Sequence, residues 1–109
     1  YTARRHNLGA KFVICNNGSY RLLQLNISQW WRSVGLDPHD NPLPFDLSQP
    51  ALDFVSMAAG MGVAGVRVET PEQIGPAIER MLADDEPFLI DLVVGGDVNP
   101  EQVGLHCGQ

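Results

Sequence analysis

The apolar run Phe12-Val13-Ile14-Cys15 carries no alternation and stops abruptly on Asn16-Asn17-Gly18-Ser19. A run without a period of two predicts a strand buried on both faces, as in a parallel sheet. The four polar residues then sit where that strand leaves the sheet, the edge at which open α/β folds bind ligands. Asn-Gly is also the strongest short hairpin signal, so from these four residues alone a plain turn is the favoured reading. A hairpin needs a second strand, however, and Tyr20-Arg21-Leu22-Leu23-Gln24-Leu25 reads as a helix. The stretch is therefore expected to be a strand-to-helix loop. Its neutral oxygens, from Asn16, Asn17, Ser19 and the backbone, suit Mg²⁺ or Ca²⁺ rather than a soft metal. Gly18 lets the backbone turn sharply and approach a ligand closely.

Strands and helices alternate along the rest of the chain. A strand is expected over about 11–17 and a helix from Tyr20 to about Val34, stopped by Gly35. Residues 36–50 hold four prolines and three aspartates and predict a long loop. A second helix is predicted from about Pro50 to Met61, with Ser48 as its cap and Pro50 in its first turn. Val63–Glu69 alternates as a strand. Thr70-Pro71-Glu72-Gln73 opens another helix, with a cap, a first-position proline and an acidic first turn. Pro87–Val94 is a last buried strand, and 95–109 form a polar, glycine-rich tail expected to be irregular. This order predicts an α/β fold, a parallel sheet with helices on both faces and right-handed crossovers.

A chain of 109 residues suits one small domain with a single core. Its net charge of −6, with no basic stripe, argues against nucleic acid and against anionic membrane surfaces as partners. No apolar run approaches the length of a membrane span, and the start carries no signal-peptide pattern. Cys15 and Cys107 do not suggest a disulfide framework, so a reduced, cytoplasmic setting is expected. Tyr1–Gly9 ends like a helix running into a loop, with Asn7 and Gly9 as helix-ending residues. The chain is expected to begin partway through a helix and to be a piece of something longer.

Four segments together resemble the C-terminal part of thiamine-diphosphate-dependent enzymes, in the benzoylformate decarboxylase and acetolactate synthase group. They are Ala3-Arg4-Arg5-His6-Asn7-Leu8, KFVICNNGSY over 11–20, Leu52-Asp53-Phe54-x-x-x-Ala58 with a following glycine, and Pro87-Phe88-Leu89-Ile90-Asp91. The likeness extends to about Val94, so residues 1–94 are expected to form the diphosphate-binding domain. The cofactor motif of that family runs from Gly-Asp-Gly to Asn-Asn, and only its second half, Asn16-Asn17, is present here.

The resemblance implies thiamine diphosphate and Mg²⁺ as cofactors. It makes the Asn17 side-chain oxygen and the Ser19 backbone carbonyl the metal ligands. It makes Asn16, Gly18 and Tyr20 cofactor-binding residues, Asn16 serving to hold the loop. Leu22, Leu23 and Asn26 are implied to shape the substrate pocket. No catalytic residue is expected within these residues, because the activating glutamate and the proton-relaying histidines lie elsewhere in the family. The implied activity is decarboxylation of a 2-keto acid, by a homodimer or homotetramer that includes N-terminal domains. A carboligase like acetolactate synthase, or a non-catalytic module that keeps the fold, is the alternative.

The remaining signals are expected to be structural. Gly60-x-Gly62-x-x-Gly65 has the letters of a dinucleotide fingerprint but follows a helix and precedes a strand, the reverse of what the fingerprint requires. It is expected to be a helix stop and tight turn. His6, His39 and His106 are expected in solvent, with His39 worth watching because its loop could fold over the site. His106-Cys107 is a weak metal signal. Cys15 is expected to be a small core residue, Asp53 a solvated or capping residue, and Trp30 and Trp31 to pack under the long loop or at a subunit contact.

Overall fold

A computed structural model of the chain describes residues 1–37 and 39–96. The element order is α1 (Thr2–Arg5), β1 (Lys11–Asn16), α2 (Arg21–Ser33), a 3-10 turn (Leu43–Phe45), α3 (Phe54–Gly60), β2 (Ala64–Val68), a second 3-10 turn (Pro71–Gln73), α4 (Ile74–Met81) and β3 (Phe88–Val93). The chain divides into two compact units, Tyr1–Asn16 with Asp53–Val94, and Asn17–Leu52 with the residues from Gly95.

The first unit is a three-stranded parallel sheet in the order β1-β3-β2. The connection from β1 steps over to β2, and the one from β2 steps back to β3. Right-handed crossovers running in opposite directions put α3 and α4 on opposite faces. The alternation of β3 sends Phe88, Ile90 and Leu92 to one face. There Phe88 and Ile90 form the core with Val68 and Ala77 of α4, and Val66, Met81 and Leu92 pack against it. The guanidinium of Arg80 lies 5.4 Å from the centre of the Phe88 ring.

The other face of β3 carries Asp91, which has no solvent exposure. Each carboxylate oxygen has its own partner from a flanking strand. The Asn16 amide donates to Oδ1 at 3.0 Å and the Arg67 guanidinium to Oδ2 at 3.1 Å. Arg67 is itself turned toward Glu69 at 2.9 Å, so a chain of charge runs from the sheet interior to the surface. A carboxylate taken fully out of water is tolerated only with such partners.

The helix ends follow local chemistry. Asn7 takes a left-handed φ of 50° just after α1. Gln73 Oε1 accepts the amides of Glu69 and Thr70, closing the turn that Pro71 begins. The Gly60-Gly62-Gly65 motif lies as a helix stop and turn: Gly60 ends α3, Gly62 has φ 76°, and Gly65 is in β2. A side chain at Gly62 would start 3.1 Å from Arg4 Cγ. Among the described residues no helix is long and apolar enough to cross a membrane.

Three expectations are corrected. The second helix starts at Phe54 rather than near Pro50, because Asp53 and not Ser48 is its cap. Asp53 accepts the Ser56 amide at 2.8 Å and the Ser56 hydroxyl at 2.6 Å, while Ser48 is bridged to Ala51. Those bonds, the hydroxyl's first, hold the Asp53 carboxyl below its ordinary value. Next, β1 is not buried on both faces: among the described residues it pairs with β3 alone, and Phe12 and Val13 stay about half exposed, at 43% and 52%. For the same reason Cys15 is exposed rather than a core residue. The tail from residue 97, with His106 and Cys107, lies outside the described residues.

The buried carboxylate generates a stability prediction. Asp91→Ala is expected to destabilise the protein by about 3 kcal/mol in denaturant unfolding, the lower end of the range for a broken buried pair because the partner guanidinium can return to water. Asp91→Asn, which keeps one acceptor, is expected to cost clearly less.

Candidate functional site

The second unit is built on the turn Asn17-Gly18-Ser19 and the start of α2. Asn17 bends back on itself: its side-chain oxygen accepts the Ser19 amide at 3.1 Å, an Asx turn. Gly18 sits in the left-handed region at φ 64°, where a side chain would be strained. Tyr20 then caps α2 through its backbone, its carbonyl accepting the Gln24 amide at 3.1 Å.

A strap from the proline-rich segment runs antiparallel to this turn. The Tyr20 amide donates to the Phe45 carbonyl at 2.9 Å, and the Leu47 amide donates to the Gly18 carbonyl at 2.9 Å. Ser19 and Asp46 are thereby paired. The bonds flank this pair rather than join it, so the amide and carbonyl of Ser19 face away from the strap. The Ser19 amide goes to Asn17, and its carbonyl takes no part in the ladder. The Ser19 hydroxyl is buried and has no hydrogen-bond partner among the described residues.

Residues of the turn, the start of α2 and the strap line an open recess of about 480 Å³: Asn17, Gly18, Ser19, Arg21 and Gln24 with Asn41–Leu43, Asp46 and Ser48. The Arg21 guanidinium donates to the Gln24 side-chain oxygen, Oε1, at 3.0 Å. Asp46 accepts the Ser48 hydroxyl and amide, in that order of effect, and its carboxyl is held below the ordinary value. The lining thus offers hard oxygens, one cation and one anion, beside the N-terminus of a 13-residue helix. Among the described residues no group of three His, Cys, Asp or Glu side chains could hold a metal on its own. This donor set fits a hard cation that brings further oxygens with it, such as a metal on a diphosphate.

The residues singled out in the sequence fall into three groups. Asn17, Gly18 and Ser19 line the recess together. Asn16 is the last residue of β1, with its amide on Asp91. Tyr20, Leu22, Leu23 and Asn26 are exposed and outside the recess lining. Arg21, Gln24 and Asp46 went unmarked in the sequence, and Ser48 was marked only as a helix cap. Asp46-x-Ser48 carries an Asx-turn signal, but nothing local says that it lies opposite Ser19. His39 does not line the recess; its ring stands edge-on to Trp31, 5.4 Å between centres. Trp31 is buried there, whereas Trp30 is exposed.

Comparison with known proteins places the chain in a family. The chain is 39% identical over 95 residues to a Mycobacterium tuberculosis protein provisionally named acetolactate synthase large subunit IlvX, covering 86% of this chain and 18% of that one. It is 34% identical over 92 residues to benzoylformate decarboxylase of Pseudomonas aeruginosa, covering 84% and 16%. Its fold matches the thiamine diphosphate-dependent 4-hydroxybenzoylformate decarboxylase of Rhodococcus jostii RHA1, with a TM-score of 0.72 and 30% identity over 88% of this chain and 16% of that one. The chain therefore spans less than a fifth of the length of these relatives. Residues 1–92 match the model of the thiamine pyrophosphate enzyme C-terminal TPP-binding domain, and the chain belongs to that family.

Proposed function

We propose that these residues hold the metal–diphosphate end of thiamine diphosphate in a 2-keto acid decarboxylase of the benzoylformate decarboxylase kind. The observation that supports it most is the recess itself, where Asn17, Gly18 and Ser19 stand with Arg21 and the Ser19 carbonyl is left out of the ladder. Asn17 gives its side-chain oxygen and Ser19 its backbone carbonyl to Mg²⁺, both hard donors suited to that ion. Gly18 lets the backbone come close to the diphosphate, and the Arg21 guanidinium matches phosphate oxygens. The positive end of α2 adds to the attraction. Asn16 holds the loop through Asp91 rather than by touching the cofactor. Leu22, Leu23 and Asn26, exposed on α2, shape the substrate pocket with parts of the protein outside these residues.

The bound cofactor supplies the electron sink that decarboxylation of a 2-keto acid needs. These residues bind and orient it; the remaining carboxylate for the metal and the activating glutamate come from parts of the protein outside these residues. The protein works in the cytoplasm as a homodimer or homotetramer that completes the site. A second reading, an acetolactate synthase-like carboligase, is favoured by the 39% identity to the Mycobacterium tuberculosis protein.

Assaying the full-length protein with benzoylformate and with pyruvate separates the two. Benzaldehyde and carbon dioxide from benzoylformate are expected. Acetolactate from pyruvate, with no aldehyde from benzoylformate, would overturn the decarboxylase reading. Asn17→Ala is expected to weaken Mg²⁺-dependent cofactor binding by more than about 100-fold, beyond the 10–100-fold typical of residues that only support a ligand. Calorimetry with thiamine diphosphate and Mg²⁺ measures this.

A further inference from the structure

The strap paired with the turn is held by backbone hydrogen bonds and by one carboxylate. Leu43–Phe45 closes through Phe45 amide to Pro42 carbonyl at 2.9 Å and Asp46 amide to Leu43 carbonyl at 3.0 Å. Phe45 and Leu47 then bracket Ser19 with the two bonds already described. Beyond Leu47 the direction of the chain is set by Asp46, whose Oδ1 accepts the Ser48 amide at 2.8 Å and the Ser48 hydroxyl at 2.5 Å. The Ser48 β-carbon lies 3.9 Å from where a side chain at Gly18 would begin, so this Asx turn sits directly against the glycine of the cofactor loop. A ring of this kind closes only for a side chain as short as Asp or Asn.

We propose that Asp46 is a positioning residue: by closing the turn onto Ser48 it keeps the Leu47 amide on the Gly18 carbonyl, and so keeps the Ser19 carbonyl turned away from the strap and available to a metal. The inference rests on the reading of the recess as the metal–diphosphate site. Asp46 also lines the recess, so a role for its charge must be separated from a role for its turn. Asparagine keeps the turn and removes the charge. Glutamine has the same carboxamide but is one methylene too long to close the ring.

The test titrates Mg²⁺ into the full-length protein at fixed thiamine diphosphate, read by tryptophan fluorescence, with the KM for cofactor and kcat as further readouts. Asp46→Asn is expected to bind within about twofold of wild type, and Asp46→Gln to lose about 10–100-fold, the range for a disturbed support of a metal ligand. Ser48→Ala, which removes one of the two donors, is expected to fall between them. In the glutamine variant the KM for cofactor is expected to rise by more than kcat falls. Wild-type binding by the glutamine variant, or equal losses in the asparagine and glutamine variants, overturns the positioning role. A wild-type protein that binds no Mg²⁺–thiamine diphosphate overturns the proposed function itself, a result distinct from either.

Discussion

In the middle of the central strand, the Asp91 carboxylate is cut off from water, and the strand on each side sends it one hydrogen-bond donor. Asn16 comes from β1 and Arg67 from β2. The parallel ladders would pair these strands without it. The carboxylate adds a constraint that ladders alone do not: a slip of one residue turns every side chain to the opposite face, which would leave a buried charge unpaired. The core on the α4 face, from Phe88, Ile90, Val68 and Ala77, has the same requirement for register. Apolar packing and the two hydrogen bonds to Asp91 thus specify a single alignment, and that alignment fixes Asn16 at the end of β1.

The turn that follows works by the same economy. Asn17 folds its side chain onto the Ser19 amide, Gly18 supplies a backbone conformation that other residues resist, and the strap takes the Gly18 carbonyl and the Tyr20 amide. Among the described residues, the Ser19 carbonyl is left without a backbone partner. A backbone oxygen held rigid by its neighbours, yet outside any ladder, is a ready ligand for a hard cation.

The element order and the parallel α/β fold are legible in the sequence, because hydrophobic period and the Thr70-Pro71 start are local signals. The errors arise where local signals compete or stop. Ser48 and Asp53 are both plausible caps, and only tertiary context gives the helix to Asp53 and the bridge to Ser48. The run Phe12–Cys15 states a preference for burial but not how many strands lie beside it, and here β1 has one. Asp91 hides in the apolar run Phe88–Val93, its partners 24 and 75 residues away. Of the recess lining, Asn17, Gly18 and Ser19 are legible because they are contiguous. Asp46 is not, since its place in that lining depends on a pairing with Ser19, 27 positions away.

The most direct measurement is a crystal structure of the full-length protein with thiamine diphosphate and Mn²⁺, the metal located by its anomalous signal. The account predicts a metal bonded to the Asn17 side-chain oxygen and the Ser19 carbonyl at about 2.0–2.3 Å, the spacing of a small hard divalent ion. A metal–diphosphate found away from both oxygens would contradict it.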